Sequence, residues 1–516
     1  VQDSGTRTEG SEPSLGTKLT SGRLLARNTV WNLFGQTAAL VVAVFTLPIL
    51  VQQLGAARFG VLLLIWMLVG YAGLFDLGVG RALTKMASDK LALDRIDEIP
   101  PLFWMSMVLM TALGLLAGVL VALLTPWIVR SLNVPPELVG ETQATFYLVA
   151  LALPIVMSTA GLAGLLEAWQ RFDLIALLNI PLGILQYAGP LLVLPFTNSL
   201  VAVMGVILAA RVVAWLVRLG MCLRVQPALR HAFRWQPALF GPLLRFGGWI
   251  TLTAIVSPLM VTFDRFVVGA LTSVSDVTFY ATPYEVLNRF LQIPAALAGV
   301  LFPAFAVTYL QAPARAASLF GRTARFVFIC MFPLVLFSTA FAPEWLGMWL
   351  GEDFARNSTS VVQLMAIGIL FNSIGRLGFT FVTGVGQARW TGLLHLAELP
   401  LFLAALYLLT LRFGIVGAAV ASTARFVIDT LAMLWMVRAL LPQAGGELRK
   451  QWLLLGGASA LMLAMMLPLA LGMRLAVFAA SLVCFAVLTW TWILSNEDRG
   501  LARTAILRGK AALTAP

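Results

Sequence analysis

The chain has 516 residues, of which 60% are hydrophobic and 11% charged, and its net charge is +12. A soluble domain carries about 25% charged residues, so this composition excludes an ordinary water-soluble globular protein and points to a membrane protein. A nucleic-acid reading of the positive charge would need a basic face on a folded soluble module; no stretch of that kind is present, and no nucleic-acid partner is expected.

Residues 1–27 are polar and rich in Gly, Ser and Thr, and read as a disordered cytoplasmic tail rather than a cleavable signal peptide. Fourteen apolar stretches follow, each of about 20 residues and long enough to cross a hydrocarbon core of about 30 Å as a helix. They lie near 28–53, 59–79, 101–124, 143–166, 172–195, 200–222, 246–271, 276–302, 325–350, 359–383, 390–410, 413–437, 452–472 and 474–494. The expected fold class is therefore all-α: a polytopic integral membrane protein of about 14 transmembrane helices, ending in a second cytoplasmic tail at 497–516. No connection is long enough to form a soluble domain, so the chemistry belongs inside the bilayer or at its faces.

Of the 35 basic residues, 25 lie before the first span, on even-numbered connections or after the last span, whereas only five lie on odd-numbered connections: Arg58, Arg130, Arg356, Arg412 and Arg474. The positive-inside rule then places both termini in the cytoplasm. The connection at 223–245 carries arginines together with Phe233, Trp235 and Leu239, and reads as an interfacial helix on the inner leaflet or as a simple topology signal. Membrane lipids are thus expected contacts.

Three motif pairs recur at nearly one offset. Leu54–Gly60 is answered by Leu271–Phe279, and Gln170-Arg171-Phe172 by Gln387-Ala388-Arg389, each about 217 positions later; Ala210-Arg211-Val212-Val213 is answered by Ala424-Arg425-Phe426-Val427, about 214 later. Six spans separate the members of each pair, so the two copies share an orientation and are related by an axis along the membrane normal. This predicts two pseudo-symmetric six-helix lobes, at 28–222 and 246–441, joined by the 223–245 connection and followed by a helix pair at 442–496. Two such lobes can rock about a central cavity and open it to each side in turn.

Short motifs add mostly exclusions. Cys222, Cys330 and Cys484 match no metal or redox spacing and read as small core residues. Two histidines exclude a His-rich zinc centre, no metal site is expected, and there is no phosphate-binding loop, so no cofactor is implied. Prolines such as Pro48, Pro154, Pro181, Pro190, Pro258, Pro294, Pro333 and Pro400 should kink spans. Gly114 and Gly118 form a G-x-x-x-G that reads as close helix packing.

Spans 7 and 8 carry Phe263-Asp264-Arg265-Phe266-Val267-Val268-Gly269, then Phe279-Tyr280-Ala281-Thr282-Pro283-Tyr284-Glu285, Asn288-Arg289-Phe290 and Leu301-Phe302-Pro303-Ala304-Phe305. With Gly60, Phe75-Asp76-Leu77-Gly78 and Phe413–Ala419, this pattern resembles the bacterial polysaccharide transport proteins. These are the Wzx-type oligosaccharide flippases of the multidrug/oligosaccharidyl-lipid/polysaccharide exporter superfamily. The resemblance implies a V-shaped, two-lobe transporter, not an enzyme, that moves undecaprenyl-diphosphate-linked sugars from the cytoplasmic to the periplasmic leaflet of the bacterial inner membrane. A monomer is expected, working beside glycosyltransferases and a polysaccharide polymerase.

The intramembrane charges give a physical reason for an anionic, lipid-linked oligosaccharide. Arg211, Arg265, Arg289, Arg376 and Arg425 lie within spans, where an arginine costs at least about 2.5 kcal/mol and faces protein or water. The planar guanidinium suits phosphate oxygens. Arg211 and Arg425 each sit about 12 residues into their spans, near the midplane. Two readings stand for Arg289 and Arg425, substrate contact or neutralisation by Glu285 and Asp429 at i,i+4. Arg211 and Arg376 have no acidic residue within four positions and are the first choices for substrate contact. Asp264, Arg265, Glu285 and Arg289 read as a network that closes the outer gate or latches the lobes. Asp76 and Glu167 lie at inner span ends, where they meet cytoplasmic water; Asp76 could also line the cavity. His395 and Glu398, spaced i,i+3, are candidates for coupling to a proton gradient, sodium being the other coupling ion considered; the ordinary reading of the histidine is a hydrogen-bonded core residue.

Besides the flippase, two functions fit a polytopic chain. A multidrug-type antiporter of the same superfamily should favour carboxylates and aromatics for cationic drugs, whereas five arginines argue for an anion. A membrane glycosyl-polymerase or ligase needs catalytic groups in an aqueous loop, and the outer connections near 125–142 and 351–358 are too short to build one.

Overall fold

The computed structural model describes residues 22–72, 78–231, 233–468, 470–494 and 499. Among them the chain is helical and contains no strand. Nine helical stretches among the described residues are long and apolar enough to cross a membrane. Many large apolar side chains are exposed, such as Leu123 at 74% and Leu151 at 64%. Water would not tolerate such a surface and lipid does, so the chain is a multi-pass membrane protein.

The chain divides into two compact units, 1–262 and 263–516. The division falls inside a helix, Phe240–Leu271, and not at the 223–245 connection where the sequence reading placed it.

The first unit contains α1 (Gly22–Ala72), α2 (Val79–Ala92), α3 (Ile99–Ser131), α4 (Val139–Ala168), α5 (Phe172–Val193), α6 (Leu200–Val225) and the first part of α7 (Phe240–Leu271). α1 starts at Gly22, so the expected tail boundary at residue 27 is too late: Leu24 and Leu25 already extend the apolar run. Residues 1–21 and, apart from Arg499, the segment 497–516 lie outside the described residues. A buried cluster holds α2, α3 and α4 together through Leu83, Phe103, Met110, Leu162 and Leu166. Gly114 and Gly118 let α3 approach α4 backbone to backbone. A Cβ at Gly114 would come 2.5 Å from Pro154 Cα, and one at Gly118 2.6 Å from the Ala150 carbonyl oxygen.

Among the described residues of 226–239, after α6, there is no α-helix of the expected interfacial kind. The connection forms two short turns, Pro227–Arg230 and Pro237–Leu239. Each begins at the proline of a Gln-Pro-Ala-Leu repeat, and the glutamine before it is extended (Gln226 φ −129°, Gln236 φ −130°) because the proline ring disfavours the helical region there. The segment docks on α3: the Trp104 indole N–H donates to the Leu229 carbonyl at 3.0 Å, and the Trp104 and Phe233 rings meet edge to face.

The second unit contains the rest of α7, then α8 (Val274–Arg289), α9 (Gln292–Gln311), α10 (Pro313–Ala340), α11 (Ala342–Leu350), α12 (Glu352–Gly384), α13 (Ala388–Leu440), α14 (Gly445–Met465) and α15 (Leu471–Leu488). The expected single span at 276–302 is two helices, broken at Phe290 and Leu291. Pro294 offers no N–H and its ring crowds the carbonyl of Phe290, four residues back. The span expected at 325–350 likewise divides at Phe341, two residues before Pro343. α12 is the hub of this unit, with Phe305 and Phe320 packed around Phe381 at ring distances of 5.3 and 6.0 Å.

α13 is two helical arms that meet at Gly414, whose dihedral angles (φ 59°, ψ −140°) are not helical and reverse the chain there. The contact of His395 with Asp429 at 3.3 Å proves the reversal, since a straight helix would hold those residues about 50 Å apart. The C-terminal pair is fastened to this unit by two ion pairs, Arg325 with Glu447, and Arg474 with Glu344 at 2.8 and 3.0 Å. Cys222 is buried, but Cys330 and Cys484 are exposed, so two of the three cysteines are not core residues. In a membrane span an apolar residue is as well solvated by lipid as by protein, and apolarity alone does not mark the core.

The two units carry one shared local structure. α4 ends with Gln170 in the left-handed region (φ 56°) and the Arg171 N–H bonded to the Leu166 carbonyl at 2.8 Å. α12 ends with Gly386 at φ 85° and the Gln387 N–H bonded to the Val382 carbonyl at 3.0 Å. The two stops are alike and stand 216 positions apart, one residue out of register with the pairing of Gln170 with Gln387 read from sequence.

Candidate functional site

The charged residues of the second unit form two groups. In the first, α7 and α8 meet through Arg265, which is 5% exposed and places Nη2 2.5 Å from Glu285 Oε1. Neighbouring Asp264, 3% exposed, accepts the Arg265 backbone N–H at 2.8 Å and the Tyr280 hydroxyl from α8. The Tyr280 oxygen lies 3.1 Å from Ser422 Oγ on α13. Three helices of one unit are thereby joined through buried polar groups.

The expected pairing of Glu285 with Arg289 is replaced by the pairing with Arg265, twenty positions away in sequence. Adjacent side chains such as Asp264 and Arg265 point to different neighbours on a helix, which frees Arg265 to reach α8. Tyr280 and Ser422 were not singled out from sequence. Tyr280 opens the Y-x-x-P-Y-E motif, which was the available signal; Ser422 had none.

The second group lines the two arms of α13. The Arg425 guanidinium carbon lies 4.4 Å from the centre of the Phe426 ring and 5.2 Å from that of Phe402. The expected i,i+4 pair of Arg425 with Asp429 is not formed: the Asp429 carboxylate instead approaches His395 Nε2 at 3.3 Å. A cation over two ring faces is held by their quadrupoles, which replaces the carboxylate as the arginine's partner. The His395 ring stacks on Phe379 of α12, and Glu398 is buried beside it at 6% exposure. His395, Glu398 and Asp429 each offer a ligand atom within 4.8 Å of the other two.

Arg376 is placed differently. Between Val361 and Val382 only Leu364, Asn372, Arg376 and Phe379 of α12 are not buried. Asn372, Arg376 and Phe379 are spaced i, i+4, i+7 and form one open line on an otherwise enclosed helix. No ion pair joins Arg376 to any described carboxylate. In the first unit Arg211 is half-buried on α6, has no carboxylate partner among the described residues, and its Nε is buried without a hydrogen bond. Arg289 lies half-buried at the C-terminal end of α8. Glu167, in the last turn of α4, receives the Thr84 hydroxyl at 3.4 Å. Asp76 lies outside the described residues.

The family model described as "Polysaccharide biosynthesis protein" matches residues 25–308, more than half of the chain. The chain belongs to this polysaccharide biosynthesis family. A curated relative, the "Putative O-antigen transporter" of Shigella flexneri, is 28% identical over 415 residues, which cover 80% of this chain and 97% of the relative. The fold is similar to an inward-facing multidrug-resistance MATE transporter, with TM-score 0.64 and 15% identity over 80% of this chain and 96% of that one. It is also similar to the lipid II flippase MurJ in an inward closed conformation, with TM-score 0.62 and 12% identity over 91% of this chain and all of that one. The Asp264–Arg265–Tyr280–Glu285 network falls within the segment matched to the polysaccharide biosynthesis family, whereas Arg376 and the α13 group lie beyond it.

Proposed function

We propose that this protein flips undecaprenyl-diphosphate-linked oligosaccharide units from the cytoplasmic to the periplasmic leaflet of a bacterial inner membrane by alternating access, for surface polysaccharide synthesis. The observation that carries the reading is Arg376, a guanidinium without a carboxylate partner among the described residues, on the open line of an enclosed membrane helix. Such a charge is too costly against lipid and needs water or an anion. The diphosphate of a lipid-linked sugar supplies paired oxygens that match the guanidinium fork. Arg211 meets the same requirement in the first unit. The relationship to an O-antigen transporter supports the substrate class, and the likeness to MATE transporters supports the fold alone. Glycosyltransferases that build the lipid-linked unit and a polymerase that consumes it are the partners of such a step.

The test is complementation of a strain lacking its own flippase. Arg211→Ala and Arg376→Ala at matched expression should each lower export more than tenfold, since losing a buried charge-assisted pair costs about 2–5 kcal/mol. Lysine should restore part of the activity by keeping the charge without the fork. Normal export by both alanine variants, at wild-type protein level and melting temperature, would overturn the assignment.

A further inference from the structure

The reversal of α13 at Gly414 assembles three metal-ligating side chains for which the flippase reading has no use. His395 and Glu398 lie on the first arm and Asp429 on the second, with Glu398 and Asp429 about 24 Å from the glycine along their respective arms. One ligand atom from each of the three lies within 4.8 Å of the others. Glu398 is 6% exposed, and neither of its carboxylate oxygens has a hydrogen-bond partner. Asp429 Oδ1 also lacks a hydrogen bond, having only His395 Nε2 at 3.3 Å. Arg425, the cation nearest in sequence, is engaged by Phe402 and Phe426. The Arg425 charge still acts on Glu398, but it balances at most one of the two carboxylates and gives Glu398 no hydrogen bond, which leaves a place for a cation between them.

We propose that His395, Glu398 and Asp429 bind one divalent transition-metal ion of the zinc, cobalt or manganese class. An imidazole nitrogen and two carboxylate oxygens are the ligand set such ions select. At metal–ligand distances of about 2.1 Å, ligand atoms stand up to about 4.2 Å apart, so the triad needs only a small inward turn of its side chains. A proton shared between the carboxylates would leave the imidazole without a role, and hard ions such as sodium prefer oxygen ligands throughout. Gly375 on α12 lets the second arm approach closely beside Asp429, since a Cβ there would come 2.7 Å from Thr430 Oγ1. Phe379 supports the imidazole ring from the same helix.

The test uses the purified full-length protein in nanodiscs and needs neither substrate nor transport, so it stands or falls independently of the flippase reading. Titration with Co²⁺ should show one saturable site per chain with a visible d–d absorption band. Glu398→Gln, Asp429→Asn and His395→Gln should each weaken binding at least tenfold. His231→Gln, which replaces the chain's other histidine at an exposed position, should leave both band and affinity unchanged. Melting curves without metal verify that each variant is folded, and His395→Gln, which leaves both carboxylates in place, serves if either carboxylate variant is not. Absence of saturable Co²⁺ binding, wild-type affinity in the three variants, or a response to sodium or protons alone would overturn the proposal.

Discussion

The Arg265–Glu285 pair shows how one buried charge in this protein is balanced from a neighbouring helix. Arg265 is almost fully enclosed while Glu285 keeps a third of its side chain exposed, so the carboxylate stands at the edge of the site it neutralises. Glu285→Ala should destabilise the protein at the low end of about 3–5 kcal/mol, because it leaves an enclosed guanidinium without its anion. Replacing both partners, with Arg265→Met and Glu285→Leu, should restore most of that loss. Thermal unfolding in detergent measures both, and a double variant as unstable as the single one would show that the polar pair itself is required. From sequence, Arg289 was the visible partner of Glu285 because it lies one turn away on the same helix. The actual partner comes from α7, and no local rule of spacing reports an inter-helix contact.

At the level of elements, the departures from regular spans lie at glycine and proline. Gly414 has φ 59° and ψ −140°, a combination that side chains rarely adopt, and a Cβ there would meet nothing within 4 Å. Gly414→Ala should therefore cost about 1–3 kcal/mol through backbone strain alone. Gly392, also open around its Cβ but with ordinary helical geometry, provides the contrast. Gly392→Ala should be neutral or should stabilise the protein by up to about 1 kcal/mol. Equal melting temperatures for the two variants would contradict the strain argument. The same reversal brings Glu398 to Asp429, so the position of the α13 cluster depends on one residue's dihedral angles. Pro294 was noted in the sequence as a kink. Its effect is a break between α8 and α9, because the residues around it form hydrogen bonds of their own: the Phe290 N–H to Leu287 and the Leu291 N–H to Asn288.

For the whole molecule, the distribution of arginine and lysine makes a directional prediction. With the exposed Cys330 and Cys484 replaced, a single cysteine at Ser199 should react with an impermeant thiol reagent added from the periplasmic side, and one at Arg230 should not. Labelling at position 230 from the periplasm would invert the orientation and with it the proposed direction of flipping. Cys222 is buried and should stay silent in this background.

Hydropathy and charge by themselves determined that this is an all-α membrane protein. Crossing a bilayer requires long apolar segments whose backbone groups are satisfied internally, and that requirement is written residue by residue. The sequence also pointed to a repeated helix stop at Gln170 and Gln387, but the structure answers Gln170 with Gly386 and Arg171 with Gln387, one residue out of the register read from the motifs. The motif of α7 and α8 located one buried network without revealing its wiring. Tertiary structure alone decided that Arg425 rests on two phenylalanine rings, that Asp429 joins His395 and Glu398, and that Arg376 occupies the open line of an enclosed helix. Lipid is the reason: both core and surface of such a chain are apolar, so composition does not tell which side of a span faces protein. Only the packing of α12 against its neighbours shows where a charge can reside.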